Sequence, residues 1–137
     1  MLKDYRGYTP FNRNGKIKFD FVIDDCKLII EYDERQHFSI PRKISLENYP
    51  SDIKLFYNKD EWINRCEEIH AQDNDPIYRD EQRAYRDSIR DIEAYKNGYK
   101  LLRIYENEYD FENDIDRRNF IKRVLQIIHE SDGSFKK

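Results

Sequence analysis

Two short runs of alternating residues, separated by a short turn, most constrain what this chain can fold into. Residues 16–23 (KIKFDFVI) and residues 27–33 (KLIIEYD) each alternate in the way that predicts a β-strand. Asp24-Asp25 between them predicts a tight turn, so the two strands should form a hairpin. The face of the first strand that we expect to be buried comprises Ile17, Phe19, Phe21 and Ile23.

Periodicity and turn residues predict the elements that follow the hairpin. Residues 40–50 contain turn residues without a sustained period and predict a loop. Helices are predicted over residues 51–70, 76–97 and 116–131, with a further strand at residues 100–105 (KLLRIY). The buried stripe expected on the last helix comprises Phe120, Val124, Leu125, Ile127 and Ile128.

Length and composition limit the class of protein. The 137 residues suit one domain, and 39% charged against 38% hydrophobic residues predicts a small core, filled by 11 Tyr, 8 Phe and 1 Trp. No apolar run approaches the ~18 residues of a membrane span, and residues 1–13 lack a signal peptide's apolar stretch. We therefore expect an intracellular protein that is not secreted and has no membrane partner. Abundant Ile, Asn, Lys and Tyr with few Ala and Gly is typical of an AT-rich viral or phage genome.

Three acids lie within or at the end of the predicted strands, where a carboxylate is costly unless it is paired or bound to a cation. Alternation places Glu31 and Asp33 on one face of the second strand, and the hairpin brings Asp20 beside them. Such oxygen ligands suit Mg²⁺ or Mn²⁺. The alternative is a solvated face on which these acids pair with Lys18 and Lys27.

A histidine and a second metal hypothesis follow from the same region. His37, four residues past Asp33, could exchange a proton near neutral pH. Zinc is the rival metal because Cys66 and His70 are four residues apart. A structural zinc site needs four ligands, and the chain holds only 2 Cys and 3 His, which disfavours this alternative.

The helix predicted at residues 76–97 divides into three sectors on a helical wheel. The apolar sector, expected to pack, comprises Tyr78, Tyr85, Ile89 and Ile92, with Ile77, Ala84 and Tyr95 at its margin. A basic sector, here called the arginine stripe, comprises Arg79, Arg83, Arg86 and Arg90. The narrow sector between them comprises Asp80, Asp87 and Asp91. The arginine stripe predicts a phosphate-binding surface, and the alternative is an ordinary salt-bridged solvent face.

Two separated segments carry a family resemblance. Residues 19–38 (FDFVIDDCKLIIEYDERQHF) and residues 86–104 (RDSIRDIEAYKNGYKLLRI) together resemble the Vsr-like and EDxHD branch of the PD-(D/E)XK nuclease superfamily. This branch includes very-short-patch-repair endonucleases and related phage homing endonucleases. The positions that match its motifs are Asp20, Glu31, Asp33, Gln36, His37 and Asp87. The chain departs from the motifs with Glu34 in place of Gly and Arg90 in place of Lys.

The resemblance implies an α/β fold with a restriction-endonuclease-like core, a small mixed sheet flanked by helices. It implies one nuclease-like domain over residues 1–137, with a helical insertion around residues 50–72. The implied activity is Mg²⁺- or Mn²⁺-dependent hydrolysis of DNA phosphodiesters, of a homing or a mismatch or nicking type, with the arginine stripe on backbone phosphates. The implied metal ligands are Asp20, Glu31 and Asp33, and the implied catalytic residues are these three with His37 and Asp87.

Two other classes of protein stay open. One is a catalytically inactive nucleic-acid- or protein-binding module on the same fold, with the acids kept for structure or for a basic partner. The other is an acidic, immunity-type interaction protein that binds neither metal nor nucleic acid. A homodimer is one open alternative for the cleaving unit.

Overall fold

A small mixed sheet forms the centre of the chain. The computed structural model describes residues 17–134, with side chains through residue 130. Residue 16, the first of the predicted strand, and residues 1–13, which were inspected for a signal peptide, lie outside the described residues. The elements are β1 (Phe21–Ile23), β2 (Leu28–Asp33), α1 (Ile40–Glu47), α2 (Lys59–Ile69), α3 (Arg79–Lys96), β3 (Lys100–Tyr105) and α4 (Asp114–Ser134). The sheet order is β1-β2-β3, with β1 antiparallel and β3 parallel to β2. The predicted α/β class with a small mixed sheet is confirmed.

The chain divides into two compact units between Tyr105 and Glu106. The first unit contains the sheet and the helices α1, α2 and α3. The second unit contains α4, and its aromatic rings pack on one another at centroid distances of 5.2–5.9 Å. These rings belong to Tyr109, Phe111 and Phe120.

The predicted hairpin is confirmed, but its first strand is shorter than expected and only part of the predicted face is buried. Phe19, which precedes β1, is 3% exposed as predicted. The connection is a 3₁₀ turn, Asp24–Cys26, followed by Lys27 in the left-handed region with φ 53°. Within β1 the buried residue is Val22, while Phe21 and Ile23 are half-buried. Alternation then requires Val22 to face the helices and its two neighbours to face the other side of the sheet. Phe19 and Val22 both belong to the core cluster, so the alternation that predicted the buried face does not continue from Phe19 into β1.

The loop predicted at residues 40–50 is wrong, because most of it is the helix α1. Ser39 caps this helix by accepting the Arg42 N–H on its Oγ at 3.3 Å, and Pro41 occupies the first turn. The helix predicted at residues 51–70 is confirmed only in its second half. It begins at Lys59 because the Asn58 side chain accepts the Glu61 N–H at 3.0 Å.

The helix α3 buries a different face from the predicted one. The prediction placed tyrosines and isoleucines in the core, yet Tyr78 is 65% exposed and Tyr85 is 67% exposed. The buried residues of α3 are Asp80, Ala84, Asp87, Asp91 and Ala94. A carboxylate can be buried where charged and hydroxyl partners surround it, and α1 and β3 supply such partners here. The predicted end is confirmed, with Asn97 as C-cap and Gly98 at φ 81°.

The last two elements are close to prediction. The strand β3 has the predicted bounds. The helix α4 is longer than predicted; Ile127 is buried on it as expected, but Leu125 is 48% exposed, so its predicted burial is wrong. Among the described residues, none of the helices combines the length and the apolar character that crossing a membrane requires.

Candidate metal centre

Three potential ligands converge from different elements. Asp33 ends β2, His37 ends the 3₁₀ turn Arg35–His37, and Asp87 lies in the middle of α3. One ligand atom of each lies within 4.8 Å of the others, so the three could hold a metal ion. Both carboxylates are 1% exposed and the imidazole is 22% exposed, which leaves the histidine side as the open side. We call this group the Asp-His-Asp centre.

The turn after β2 brings His37 back beside Asp33. The His37 N–H donates to the Glu34 carbonyl at 2.9 Å, and the Phe38 N–H donates to the Arg35 carbonyl at 3.1 Å. Glu34 adopts φ −74°, which any residue reaches, so the turn does not require the glycine found in the resembling family. This departure from the motif therefore leaves the presentation of His37 intact.

A buried arginine connects the three acids beneath the centre. Arg103 on β3 is 0% exposed, and its Nη1 donates to Asp33 Oδ1 at 2.8 Å. Its Nε donates to Asp91 Oδ1 at 3.0 Å and its Nη2 to the Asp87 carbonyl at 3.1 Å. Sequence reasoning missed this residue. The available signal was a lone charge inside an apolar strand, KLLRIY, which is costly unless it is paired.

A second buried arginine completes a network around Asp91. Arg42 on α1 donates from Nη2 to Asp91 Oδ2 at 3.1 Å. Tyr49 and Tyr57 donate their hydroxyls to the same oxygen at 2.5 and 2.6 Å. Burial alone would raise the pKa of Asp91, but the charges of Arg103 and Arg42 and these hydrogen bonds hold it below its usual range. Asp91 is thus a fully satisfied ionised group with a structural role.

The ion pair between His37 and Asp87 sets the electrostatics of the open side. The Nδ1 of His37 lies 2.7 Å from Asp87 Oδ2 and 3.7 Å from Asp33 Oδ1. Burial would raise the pKa of Asp87, but Arg103 and the His37 hydrogen bond hold it well below its usual range. Burial would lower the pKa of His37, yet the hydrogen bond and charge of Asp87 raise it. An ionised carboxylate only accepts, so Nδ1 carries the hydrogen and Nε2 is left available to a substrate.

Asp20 and Glu31 lie together but outside the Asp-His-Asp centre. The Asp20 N–H donates to Glu31 Oε2 at 2.6 Å, and Asp20 Oδ2 accepts the Tyr32 N–H at 2.9 Å. Asp20 is exposed, whereas Glu31 is 4% exposed. Burial raises the pKa of Glu31 to about 8. The negative charge of Asp20 also raises this pKa, and the positive charge of Arg103 opposes the shift. Of the three predicted metal ligands, only Asp33 belongs to the Asp-His-Asp centre. Asp20 and Glu31 contact each other outside it.

Arg90 links these two parts of the site. Its Nη1 lies 3.3 Å from Asp87 Oδ1, its Nε lies 3.8 Å from Glu31 Oε1, and the same Nε donates to the Lys18 carbonyl at 2.7 Å. The position where the resembling family has lysine thus holds a cation against both acids. Gln36, another position of the motif, is exposed on the turn.

The arginine stripe is largely paired with acids. Arg79 lies 3.5 Å from Asp73, and Arg83 lies 3.6 Å from Asp73 and 3.4 Å from Asp80. Arg86 is exposed, and its side chain has no ion-pair partner within residues 17–130. The salt-bridged alternative therefore describes three of the four arginines, and Arg86 is the exception.

Cys66 and His70, which suggested zinc, are not presented as a pair of ligands. Cys66 is buried, and burial raises the pKa of its thiol to about 11. His70 is exposed at the left-handed end of α2. Among the described residues, the group of three or more potential metal ligands is the Asp-His-Asp centre, and it contains neither Cys66 nor His70.

The chain was compared with known proteins in three ways. No model of a protein family matches it, and neither a curated protein nor a solved structure matches it.

Proposed function

We propose that this protein is a divalent-metal-dependent nuclease that hydrolyses DNA phosphodiesters at the Asp-His-Asp centre. The observation that carries the proposal is the convergence of Asp33, His37 and Asp87 within 4.8 Å, on the open side of an otherwise buried charge network. These are also motif positions of the nuclease branch that the sequence resembles. The fold brings His37 and Asp87 together although 50 positions of sequence separate them.

The donor set fits a hard divalent cation. Asp33 accepts one hydrogen bond on each oxygen, from Arg103 and from the Trp62 Nε1 at 2.8 Å, which leaves one lone pair on each. Asp87 likewise keeps lone pairs beside His37 and Arg90. Asp33 and Asp87 would hold the ion, which when bound supplies positive charge to the phosphate oxygens and to the attacking water.

In the proposed reaction His37 would move a proton. Asp87 fixes the ring through Nδ1, so a neutral imidazole offers the Nε2 lone pair as a base and the imidazolium offers the Nε2 hydrogen as an acid. The raised pKa of His37 increases the fraction of imidazolium near neutral pH, which favours the acid role or a charged hydrogen bond to the phosphate. Arg103 would keep both carboxylates in place beneath the ring.

The basic side of α3 supports a nucleic-acid substrate. A cleft of about 330 Å³ lined by Ile17, Tyr85, Arg86, Ile89 and Arg90 opens beside the arginine stripe. Arg86 lacks an acidic partner in residues 17–130, and Arg90 reaches from this cleft to Asp87. A phosphate backbone along the cleft would meet Arg86 first and approach the centre at Arg90.

One observation favours a second candidate, a binding module on the same fold that does not cleave. Arg42, Arg90 and Arg103 already neutralise the buried carboxylates without a metal. Such a module would keep the network for stability and use only Arg86 and its cleft for contact. It predicts nucleic-acid binding that is independent of metal.

Kinetics of a His37 variant test the proposed function. His37→Ala should slow magnesium-dependent nicking of supercoiled plasmid by roughly 10²- to 10⁴-fold, with little loss of DNA affinity. Substituting the exposed His70 by Ala is the matched control and should leave the rate unchanged. Wild-type protein that binds the plasmid but never nicks it, at any magnesium or manganese concentration, would identify the binding module instead.

A further inference from the structure

Arg65 on α2 differs from the other half-buried and buried arginines in lacking an acid. Its guanidinium carbon lies 3.7 Å from the Tyr105 ring centroid and 5.0 Å from the Phe38 ring centroid. Its side chain makes no hydrogen bond or ion pair within residues 17–130, and its Nε is buried without an acceptor. Glu61, one turn earlier, could pair with it at i, i+4, yet the arginine turns to the rings.

The terminal nitrogens are the hydrogen-bond donors of this guanidinium that stay accessible. An arginine that lies over an aromatic ring uses its flat face, while its N–H groups point outward in the guanidinium plane. The terminal nitrogens of Arg65 are not among the fully buried unpaired atoms, so they keep access to solvent. The Nε–H is buried and has no acceptor, so the accessible terminal nitrogens are the donors that an anion can reach.

The rings that hold Arg65 place it next to the Asp-His-Asp centre. Phe38 directly follows His37, and Tyr105 is the β3 partner of Asp33 in the sheet register. Trp62, three residues before Arg65 on α2, donates its Nε1 hydrogen to Asp33 Oδ2 at 2.8 Å. The same ring of Trp62 packs on Phe38 and Tyr105 at centroid distances of 5.8 and 5.6 Å.

We propose that Arg65 is a phosphate-binding residue that holds the substrate strand next to the Asp-His-Asp centre. The inference rests on the proposed function, because the phosphate it takes belongs to the strand that is cleaved. Arg65 is a cation on α2, on the side of the centre formed by Phe38 and Tyr105. The arginine stripe on α3 supplies the other cations. The strand would then be held on both sides of His37.

Binding measurements without metal test this inference separately from cleavage. The Arg65 Nε–H resonance should shift on titration with inorganic phosphate. Arg65→Met keeps an unbranched side chain on the rings and should weaken affinity for a 20-base-pair duplex, with the salt dependence falling by about 0.9 in log–log slope. Arg65→Lys keeps the charge and should keep the slope. Lys27→Met, which removes a cation 5.1 Å from the Tyr99 ring at the opposite end of β2, is the matched control and should change neither.

The outcomes separate the two proposals. If the Arg65 resonance does not move with phosphate and Arg65→Met binds duplex with wild-type affinity and slope, Arg65 only packs on the rings and this inference is wrong. Plasmid nicking by the wild type would in that case leave the proposed function standing. If phosphate shifts the resonance but no nicking occurs with any metal, the phosphate site stands and the nuclease function fails.

Discussion

The imidazole of His37 and the carboxylate of Asp87 lie 2.7 Å apart, from Nδ1 to Oδ2, although 50 positions separate them in the sequence. This pair connects the turn after the central strand to the middle of α3. The arrangement therefore exists only when α3 is docked on the sheet. Arg103 and Asp91 provide that docking, because Arg103 contacts both strand and helix from the interior.

Asp91→Asn should cost about 3–5 kcal/mol of unfolding free energy at pH 7, because it leaves two buried guanidinium groups without their shared carboxylate. The pKa of Asp91 is lowered in the folded protein, so its contribution is present above the unfolded pKa of about 3.9 and is lost only as pH falls further. Denaturant unfolding at several pH values measures this difference.

The control for Asp91 is Glu93→Gln on the same helix. Glu93 pairs with Lys96 at 3.8 Å, and Lys96 is 65% exposed, so its loss should cost only about 0–1 kcal/mol. A cost for Asp91→Asn no greater than this control would contradict the structural role of the buried network. A cost that already declines between pH 8 and pH 5 would contradict the lowered pKa.

Glu31→Gln should become more stable relative to wild type as the pH rises. The pKa of Glu31 is raised to about 8, so between about 4.5 and 8 the unfolded carboxyl ionises while the folded one stays protonated. The unfolding free energy of wild type therefore falls across this pH window, and Glu31→Gln lacks this contribution because its amide does not ionise. Unfolding curves of metal-free protein at pH 5, 7 and 9 measure it, with the exposed Glu34→Gln as control. A stability difference for Glu31→Gln that stays flat from pH 5 to pH 9 would show that Glu31 is ionised in the folded protein.

The strands and their acids could be predicted because alternation and turn residues are local signals. The bounds of β3 were predicted from KLLRIY, and alternation placed Glu31 and Asp33 on one face of β2. Only the family resemblance implied that Asp33, His37 and Asp87 belong to one site, and the folded chain brings their ligand atoms within 4.8 Å of one another. The burial of α3 could not be predicted, because a helical wheel assigns tyrosines and isoleucines to the core and leaves the aspartates in the sector beside it. Only the folded chain shows that Arg42, Arg103 and two tyrosine hydroxyls surround Asp91.

The helix α1 was missed although its start carries local signals, the cap at Ser39 and the proline at position 41. Residues 40–50 have the composition of a loop, and this favoured the wrong prediction. Arg103 was overlooked because a single charge in a strand also occurs on exposed edges. Its partners come from α3 and β2, and no local pattern reports a contact of that range.

Arg86→Gln should weaken duplex binding for all sequences and reduce the log–log salt slope by about 0.9, because Arg86 is exposed and has no acid partner in residues 17–130. Its effect on stability should stay within about 0.5 kcal/mol. Arg83→Gln is the comparison, since Arg83 is already paired with Asp73 and Asp80 and should change the slope less. Equal slopes for wild type and Arg86→Gln would exclude Arg86 from the DNA interface.

The most direct measurement is the conversion of supercoiled plasmid to nicked product as magnesium is added, for wild type and for Asp87→Asn. Asp87 positions His37 and is one of the acids that would hold the ion, while Asn keeps the size of the side chain. Wild type should nick the plasmid only when magnesium is present and not in EDTA. Asp87→Asn, checked by circular dichroism to be folded, should not nick it. Nicking by Asp87→Asn at the wild-type rate, or a wild type that leaves the plasmid supercoiled at every magnesium and manganese concentration, would contradict the proposed function.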